Sequence, residues 1–231
     1  MKNIDLIYSK NHNSFFDKII LKKRFQIIKI INDKIKDQAI HDALDIGTTA
    51  DENNKSSNII IKNLKNIKFF KCISDQEINS VFFKKKLKKS ITSDFSKDEI
   101  KEFSSDLVVS NATIEHVGGF FQQKKMISNI IKLTKKTFIV STPNRFHPFE
   151  FHTKIPLIHW LPKEFHRKIL EILGISFYAK KKNLNLLSKN DLIEVLKSHN
   201  ITYEIKFINF LFFKSNLIVI GKKNKKTITF C

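Results

Sequence analysis

The chain reads as an α/β protein whose mostly parallel sheet is covered by helices on both faces and finished by a terminal antiparallel strand. Three observations predict this. Short apolar runs at Ala43–Gly47, Lys68–Ser74, Asp106–Asn111 and Thr137–Thr142 alternate with stretches of helical spacing at Ser14–Lys36, Phe120–Lys135 and Ser188–His199. The best of these runs, Leu107-Val108-Val109 and Phe138-Ile139-Val140, are apolar on consecutive residues, as in strands buried on both faces. Two final runs, Ile201–Ile208 and Asn216–Gly221, follow one another with only the apolar connector Asn209–Ser215 between them, which suits a closing strand pair.

Taken in order, Ser14–Lys36 predicts a long amphipathic helix with Phe16, Ile20, Ile27, Ile31 and Ile35 on one face and Ser14 with Asp17 at its start. Ala43–Gly47 predicts a buried strand ending in Asp-Ile-Gly. Thr48–Ser56 is a polar loop, Ser57–Lys65 a short helix and Lys68–Ser74 a second strand. Glu77–Lys88 reads as helical at its start, with Lys84–Lys89 as a solvated helix end, and Ile91–Asp94 as a short edge strand. Pro143–Leu187 breaks the rhythm. It carries all four prolines, the single tryptophan Trp160, and His147, His152, His159 and His166. An ordered segment of that length after a strand is usually a lid or binding element, and it follows the strand end where open α/β sheets bind ligands. The expected organisation is one domain over 1–231, with an N-terminal helical segment at 1–40 and a substrate cap inserted at 143–187.

Composition narrows the function classes. A length of 231 residues with 42% hydrophobic content supports one domain with a real core. No apolar run is long enough to span a bilayer, and Met1–Lys10 lacks the apolar core of a secretion signal, so a cytoplasmic location is expected. Cys72 and Cys231 stand far apart and form no disulfide framework or paired-cysteine zinc site. The net charge of +20 comes from lysines spread along the whole chain, and Arg24, Arg145 and Arg167 are its only arginines. Arginine's planar fork is the preferred phosphate reader, so a nucleic-acid partner is possible but not favoured.

The chemistry concentrates at strand ends. Leu44-Asp45-Ile46-Gly47-Thr48-Thr49 is a strand running into a tight turn. Its glycine lets the backbone pass close under a ligand, and free N–H groups beyond it can face an anion. Asp75, just past the second strand, can accept hydrogen bonds from both hydroxyls of a ribose or cap a helix. Asp94, in Thr92-Ser93-Asp94-Phe95, can accept from an adenine amino group or belong to a polar turn. The longest motif is Asp106-Leu-Val-Val-Ser-Asn-Ala-Thr-Ile-Glu115-His116-Val117.

On these residues the chain resembles the methyltransferase type 11 group of class I methyltransferases, whose fourth strand commonly runs from an Asp through Val to a Glu-His pair. The helix after it and Thr137-Phe-Ile-Val-Ser-Thr-Pro-Asn-Arg145 also match. Pro148-Phe-Glu-Phe-His152 through His159-Trp160-Leu-Pro162 resembles the cap of a bacterial subgroup associated with glycan and other small-molecule modification. The likeness spans about Ala43–Gly221. It implies a Rossmann-like three-layer sandwich with a seven-stranded sheet, S-adenosyl-L-methionine as methyl donor, and a small-molecule or glycan acceptor. Under it, Asp45, Gly47, Thr48, Asp75, Asp94, Asn111 and Ala112 are the expected donor-binding residues. His116, His147 and His152 are the expected catalytic ones, and Glu115, Asn144, Glu150, His159 and Trp160 face the acceptor. The chain departs from the family in its first loop, where Gly47 alone remains of a glycine-rich turn. Glu115-His116 also resembles the metal motif E-x-x-E-H of RNA-terminal methyltransferases, but Ala112 stands where its first Glu belongs, so no metal is expected. An RNA-directed methyltransferase and a non-catalytic Rossmann-like binding module remain the rival readings. The mixture of Leu, Ile, Trp and Lys in Ile155–Leu173 also suits transient contact with a membrane surface.

Overall fold

The computed structural model describes residues 15–51, 56–210 and 212–223. The Ser14 helix start, part of the polar Asp51–Ser56 stretch and Cys231 fall outside them, as do the side chains of residues 15–17. In order, the elements are α1 (Phe15–Ile35), β1 (Asp42–Ile46), α2 (Ile59–Lys62), β2 (Phe69–Ser74), β3 (Lys85–Lys88), α3 (Lys97–Phe103), β4 (Ser105–Asn111), α4 (Phe120–Leu133) and β5 (Thr134–Pro143). They continue with α5 (Lys163–Ile172), α6 (Ser176–Ala179), α7 (Lys189–Leu196), β6 (Ile201–Phe210) and β7 (Phe213–Lys223). The strands form one seven-stranded sheet in the order β3-β2-β1-β4-β5-β7-β6. All pairs from β3 to β5 are parallel, and β7 runs antiparallel to both β5 and β6.

Alternation along the strands sorts the core into two layers. Val108, Phe138, Val140, Leu217 and Val219 point to one face, where they pack with Met126, Ile127 and Ile130 of α4 and with Leu192 and Val195 of α7. Leu107, Val109, Ile139, Ile218 and Ile220 point to the other, against Ile27, Ile31 and Ile35 of α1 and Ile60 and Ile61 of α2. A period of two with apolar residues on both sides is what a sheet clothed by helices requires. Helix starts are fixed locally: Ser96 with Glu99 and Ser188 with Asp191 form reciprocal capping boxes on α3 and α7.

Three sequence expectations are corrected. Lys84–Lys89 is not a helix end, because Lys85–Lys88 is the edge strand β3, paired to β2 alone. Lysines on an edge repel further strands, which reconciles that composition with β structure. Ile91–Asp94 is consequently a turn rather than the edge strand. The connector Asn209–Ser215 belongs largely to the β6–β7 hairpin, whose pairing runs out to Phe210 opposite Phe213. The stretch from 143 to 187 carries a small core of its own, formed by Leu170, Tyr178, Ala179, Leu184 and Leu186. No described helix is long and apolar enough to cross a membrane.

Candidate active site

The carboxyl ends of β1, β2 and β4 open into a cavity of about 860 Å³, lined also by α1 and by Phe151 and His152 of the cap. Open parallel sheets bind ligands at this edge. Here the strand order reverses beside β1, from β2 on one side to β4 on the other.

At the sheet end the wall is mostly backbone. Gly47 has φ +84°, and a Cβ there would fall 2.2 Å from Thr113 Oγ1, so both conformation and space demand glycine. Its N–H donates to Ile73 O at 3.0 Å, tying the turn to β2. Asp45 is 8% exposed, and its carboxylate accepts the Thr48 hydroxyl at 2.6 Å. Burial raises its pKa to about 6, against the opposing pull of that hydrogen bond. Thr48 is buried, and its carbonyl accepts the Ser74 hydroxyl at 2.6 Å. Asp75 is exposed on the cavity wall. Asn111 ends β4 with its Oδ1 accepting from Ser141, and Ala112 follows in the left-handed region at φ 51°. Both line the cavity. Asp94 does not: its carboxylate is ion-paired with Lys125 on the surface, and Ile91 and Thr92 occupy the wall instead.

At the cap end His116 and His152 line the wall, whereas Glu115 and Glu150, expected to face the acceptor, are buried behind them and do not reach the cavity. Glu115 is fully buried; Oε2 accepts the Thr142 hydroxyl at 2.9 Å, and Oε1 has no hydrogen-bond partner. His116 places Nδ1 2.6 Å from Asn183 O, so Nδ1 carries the hydrogen and Nε2 presents a lone pair 4.0 Å from Glu115 Oε1. Burial lowers the pKa of His116, outweighing the Glu115 charge. Glu150, 3% exposed, accepts from the backbone N–H of His152 and of Thr153 and pairs with His152 Nδ1 at 2.6 Å. Burial acts to raise the Glu150 pKa, but these contacts take it down to about 2. His152 is the mirror case: burial acts downward, and the Glu150 charge and hydrogen bond lift it above the ordinary histidine value. The rings of His116 and His152 lie edge to face with centroids 5.0 Å apart.

The ligand atoms of Glu115, His116 and His152 all fall within 4.8 Å of one another. Two imidazoles and a carboxylate form a donor set that could hold a divalent cation, with Asn183 and Glu150 orienting the rings from behind. Sequence reasoning set a metal aside because Ala112 lacks the first carboxylate. The third group comes from the cap instead.

The other cap candidates do not reach this cavity. His147 is buried, with Nδ1 at 2.8 Å from Phe149 O, and its own carbonyl takes His159 Nε2 at 2.6 Å and Trp160 Nε1 at 3.3 Å. This trio fastens the cap to itself, as two-sided polar groups do when buried. His159 faces a separate small cleft with Arg145 and His166, and Trp160 is 43% exposed. Asn144 donates to Lys214 O and bridges to Leu187, joining the cap to β7. The residue that sequence reasoning missed is Lys23 of α1, which lines the cavity. Its signal was present: lysine at 23 sits on the apolar stripe between Ile19 and Ile27.

No family model and no curated protein matches the sequence. Solved structures do match. Magnesium protoporphyrin IX methyltransferase from Synechocystis PCC 6803, solved with bound SAM, superposes at a TM-score of 0.56 with 12% identity, over 94% of this chain and 88% of that one. The N-methyltransferase NodS from Bradyrhizobium japonicum WM9, in complex with S-adenosyl-L-homocysteine, does so at 0.55 with 11% identity, over 92% and 90%. The fold is that of a class I methyltransferase. The small RNA methyltransferase HEN1 matches at 0.55 with 13% identity, covering 88% of this chain and 25% of that one. Within the methyltransferase fold, the cavity lies on the carboxyl edge of β1 and β4, with Phe151 and His152 of the cap in its wall.

Proposed function

We propose that the protein is an S-adenosyl-L-methionine-dependent methyltransferase acting on a small-molecule or glycan-type acceptor. One observation carries the reading. A single cavity joins a glycine turn with a buried acid, Gly47 and Asp45, to the half-buried His116, whose Nδ1 is held by Asn183 O. The residues fit a nucleoside donor: the Gly47 turn lines the cavity, Asp75 offers a carboxylate to ribose hydroxyls, and Asp45 offers one to a cationic group. The two neighbours solved with SAM or S-adenosyl-L-homocysteine support the same donor.

When bound, the donor supplies an activated methyl group on a sulfonium. The protein's task is then to hold the acceptor atom in line and to take its proton. His116 suits the second role, because Asn183 fixes its tautomer and burial keeps it neutral. Beside it, the Glu150 carboxylate lifts the pKa of His152 above the ordinary histidine value. All three arginines are engaged within the protein: Arg24 with Ser56 O, Arg145 with the carbonyls of His159 and Leu161, and Arg167 with Glu164 and Asn185. This favours a glycan or small molecule over RNA, whose backbone would ask for free phosphate readers.

Isothermal calorimetry with S-adenosyl-L-homocysteine tests the reading. Saturable binding is the expected result. No heat at millimolar ligand would overturn it in favour of a non-catalytic binding module.

A second reading of the chemistry is favoured by the unpartnered Glu115 Oε1. In it, Glu115, His116 and His152 would hold a divalent cation, which would supply Lewis-acid polarisation to an acceptor oxygen. Stoichiometric Mn²⁺ binding that disappears in His152→Ala supports it, and absence of binding at millimolar Mn²⁺ excludes it.

A further inference from the structure

One side of the cap is apolar and faces outward. Phe146, Leu157, Trp160 and Leu161 are 42–50% exposed, and Phe165 and Ile172 of α5 reach 61% and 84%. Close contacts hold the first four together. Arg145 lies over the Phe146 ring, 5.4 Å from its centroid, and donates to Leu161 O at 2.7 Å. Trp160 belongs to the turn that starts at Leu157, and its indole N–H donates to His147 O at 3.3 Å. Helix α5 continues the surface. Its His166 and Leu170 are buried, and Leu170 belongs to the small core of the cap. Phe165, Lys168 and Ile172, spaced three and four apart, share its outer side, and all three are exposed. Helix α5 is therefore apolar on two sides, of which the cap core uses one. Apolar surface gathered in this way marks an interaction site.

Charge decides what this face takes. The stretch from 143 to 187 holds eight Lys or Arg against three Asp or Glu, in a chain of net charge +20. Glu150 is paired with His152 and Glu164 with Arg167, so Glu171 is the one acid of the cap without an ion pair among the described residues. Lys154 stands three positions before Leu157, and Lys168 lies between Phe165 and Ile172. Both are exposed, and neither is ion-paired among the described residues. A second copy of the chain would bring like charge to the same face and be repelled. An anionic bilayer attracts the lysines and also takes up the apolar side chains. Trp160 suits that boundary, because its one polar atom is already answered by His147 O and its ring can leave water at no further cost. We propose that this side of the cap docks on the surface of a membrane that contains anionic phospholipid. Trp160, Leu161, Phe165 and Ile172 enter at headgroup level, and Lys154 and Lys168 stretch back to the phosphates.

Trp160 is the only tryptophan of the chain, so the protein's indole emission reports on this face alone. The full chain is mixed with phosphatidylcholine vesicles made with and without phosphatidylglycerol. The expected result is sedimentation with the anionic vesicles, a blue shift of the emission and quenching by brominated acyl chains, all weakened by high salt and absent on pure phosphatidylcholine. Phe165→Ser combined with Ile172→Ser removes exposed apolar groups only, and should lower the partition coefficient at least about tenfold with Tm unchanged. Lys154→Glu combined with Lys168→Glu should weaken binding to the anionic vesicles by a similar factor. Absence of sedimentation overturns the proposal, and so does equal partition of the wild type and the Phe165→Ser, Ile172→Ser variant. Sedimentation with an unshifted, unquenched tryptophan also overturns it, by assigning the attraction to lysines elsewhere. A blue shift that grows with protein concentration without vesicles, and is lost in the Phe165→Ser, Ile172→Ser variant, overturns it in favour of a second copy of the chain. None of these readouts uses the methyl donor, so their outcome is independent of the methyltransferase reading.

Discussion

At the sheet end of the cavity, Asp45, Gly47, Asn111 and Ala112 belong to two adjacent strands and the turns directly after them. At the cap end, Lys23 comes from α1, His116 from the turn after β4, and Phe151 and His152 from the cap. The first end works by backbone shape, the second by side chains gathered from distant parts of the chain. Shape of the first kind tolerates almost no change at its one glycine. Chemistry of the second kind should fail one function at a time.

The largest effect should come from Gly47→Val. The position combines φ +84° with a side-chain clash on Thr113. Left-handed strain of about 1–3 kcal/mol and overpacking of about 1–3 kcal/mol predict loss of donor affinity by roughly a hundredfold or more, with a matching loss of stability. Calorimetry and urea unfolding measure the two. Adding Thr113→Ala should recover part of the packing cost and none of the strain. Full recovery would mean that space, rather than φ, requires the glycine.

At the cap end, His116→Ala should lower turnover by about 10²–10⁴-fold, the usual contribution of a positioned base, while donor affinity stays within about twofold. Glu150→Gln should act differently. It leaves the shape but removes the charge that lifts His152, so the histidine titrates at lower pH and the variant loses stability. The sign for Glu150 follows from its depressed pKa of about 2: its stabilisation is present above the unfolded value near 4.3 and is lost as pH falls through about 2. Acid unfolding of the wild type and the variant, followed by circular dichroism, checks this. If His116→Ala weakens the donor as strongly as it slows turnover, the two ends are not separable and the comparison breaks.

A smaller and graded effect separates the ends by pH. Asp45 titrates near 6 because it is buried. Below that pH its carboxyl is neutral and offers nothing to a cationic amino-acid head, so donor affinity should rise with pH through about 6, by up to about tenfold per unit, and then level off. Asp45→Asn should flatten the profile. Stability runs the other way for the same group, falling as pH climbs from the unfolded value near 4 through 6.

How much of this was legible follows from the same contrast. β1, β4 and β5 announce themselves, because both faces are buried: Leu107–Val109 and Phe138–Val140 are unbroken apolar runs, and Ala43–Ile46 is interrupted by Asp45 alone. β3 does not: its sequence, KKLK, pairs on one side only, and its lysines read equally as a solvated helix end. Gly47 and the Glu115-His116 pair were legible as local motifs. The sorting of the cap histidines was not, since His147 and His152 have the same chemistry in sequence. One turns inward to tie Phe149 and Trp160, while the other meets Glu150 beside the cavity. Orientation of that kind depends on the packing of the cap core, which local spacing does not encode. Lys23 was readable as a lysine on an apolar stripe, but the rings that its amine lies over, Phe151 and Phe210, belong to two segments far along the chain.

The smallest expected effect tests the sheet end where motif and geometry disagree. Asp75 follows β2 and Asp94 follows β3, and both suggested contacts to a nucleoside. Asp75 lines the cavity, whereas Asp94 is held outward by Lys125 and gives up the wall to Ile91 and Thr92. Asp75→Asn should therefore cost about tenfold in affinity for S-adenosyl-L-homocysteine, the worth of one charge-assisted hydrogen bond. Asp94→Asn should change it by less than about twofold, because an exposed ion pair contributes little. If Asp94→Asn instead weakens the donor tenfold, binding must break the Lys125 pair and swing the carboxylate inward. The sheet end would then rely on a moving side chain, as the cap end does on its gathered ones, and the distinction between shape and side-chain chemistry would hold only for Gly47 and its turn.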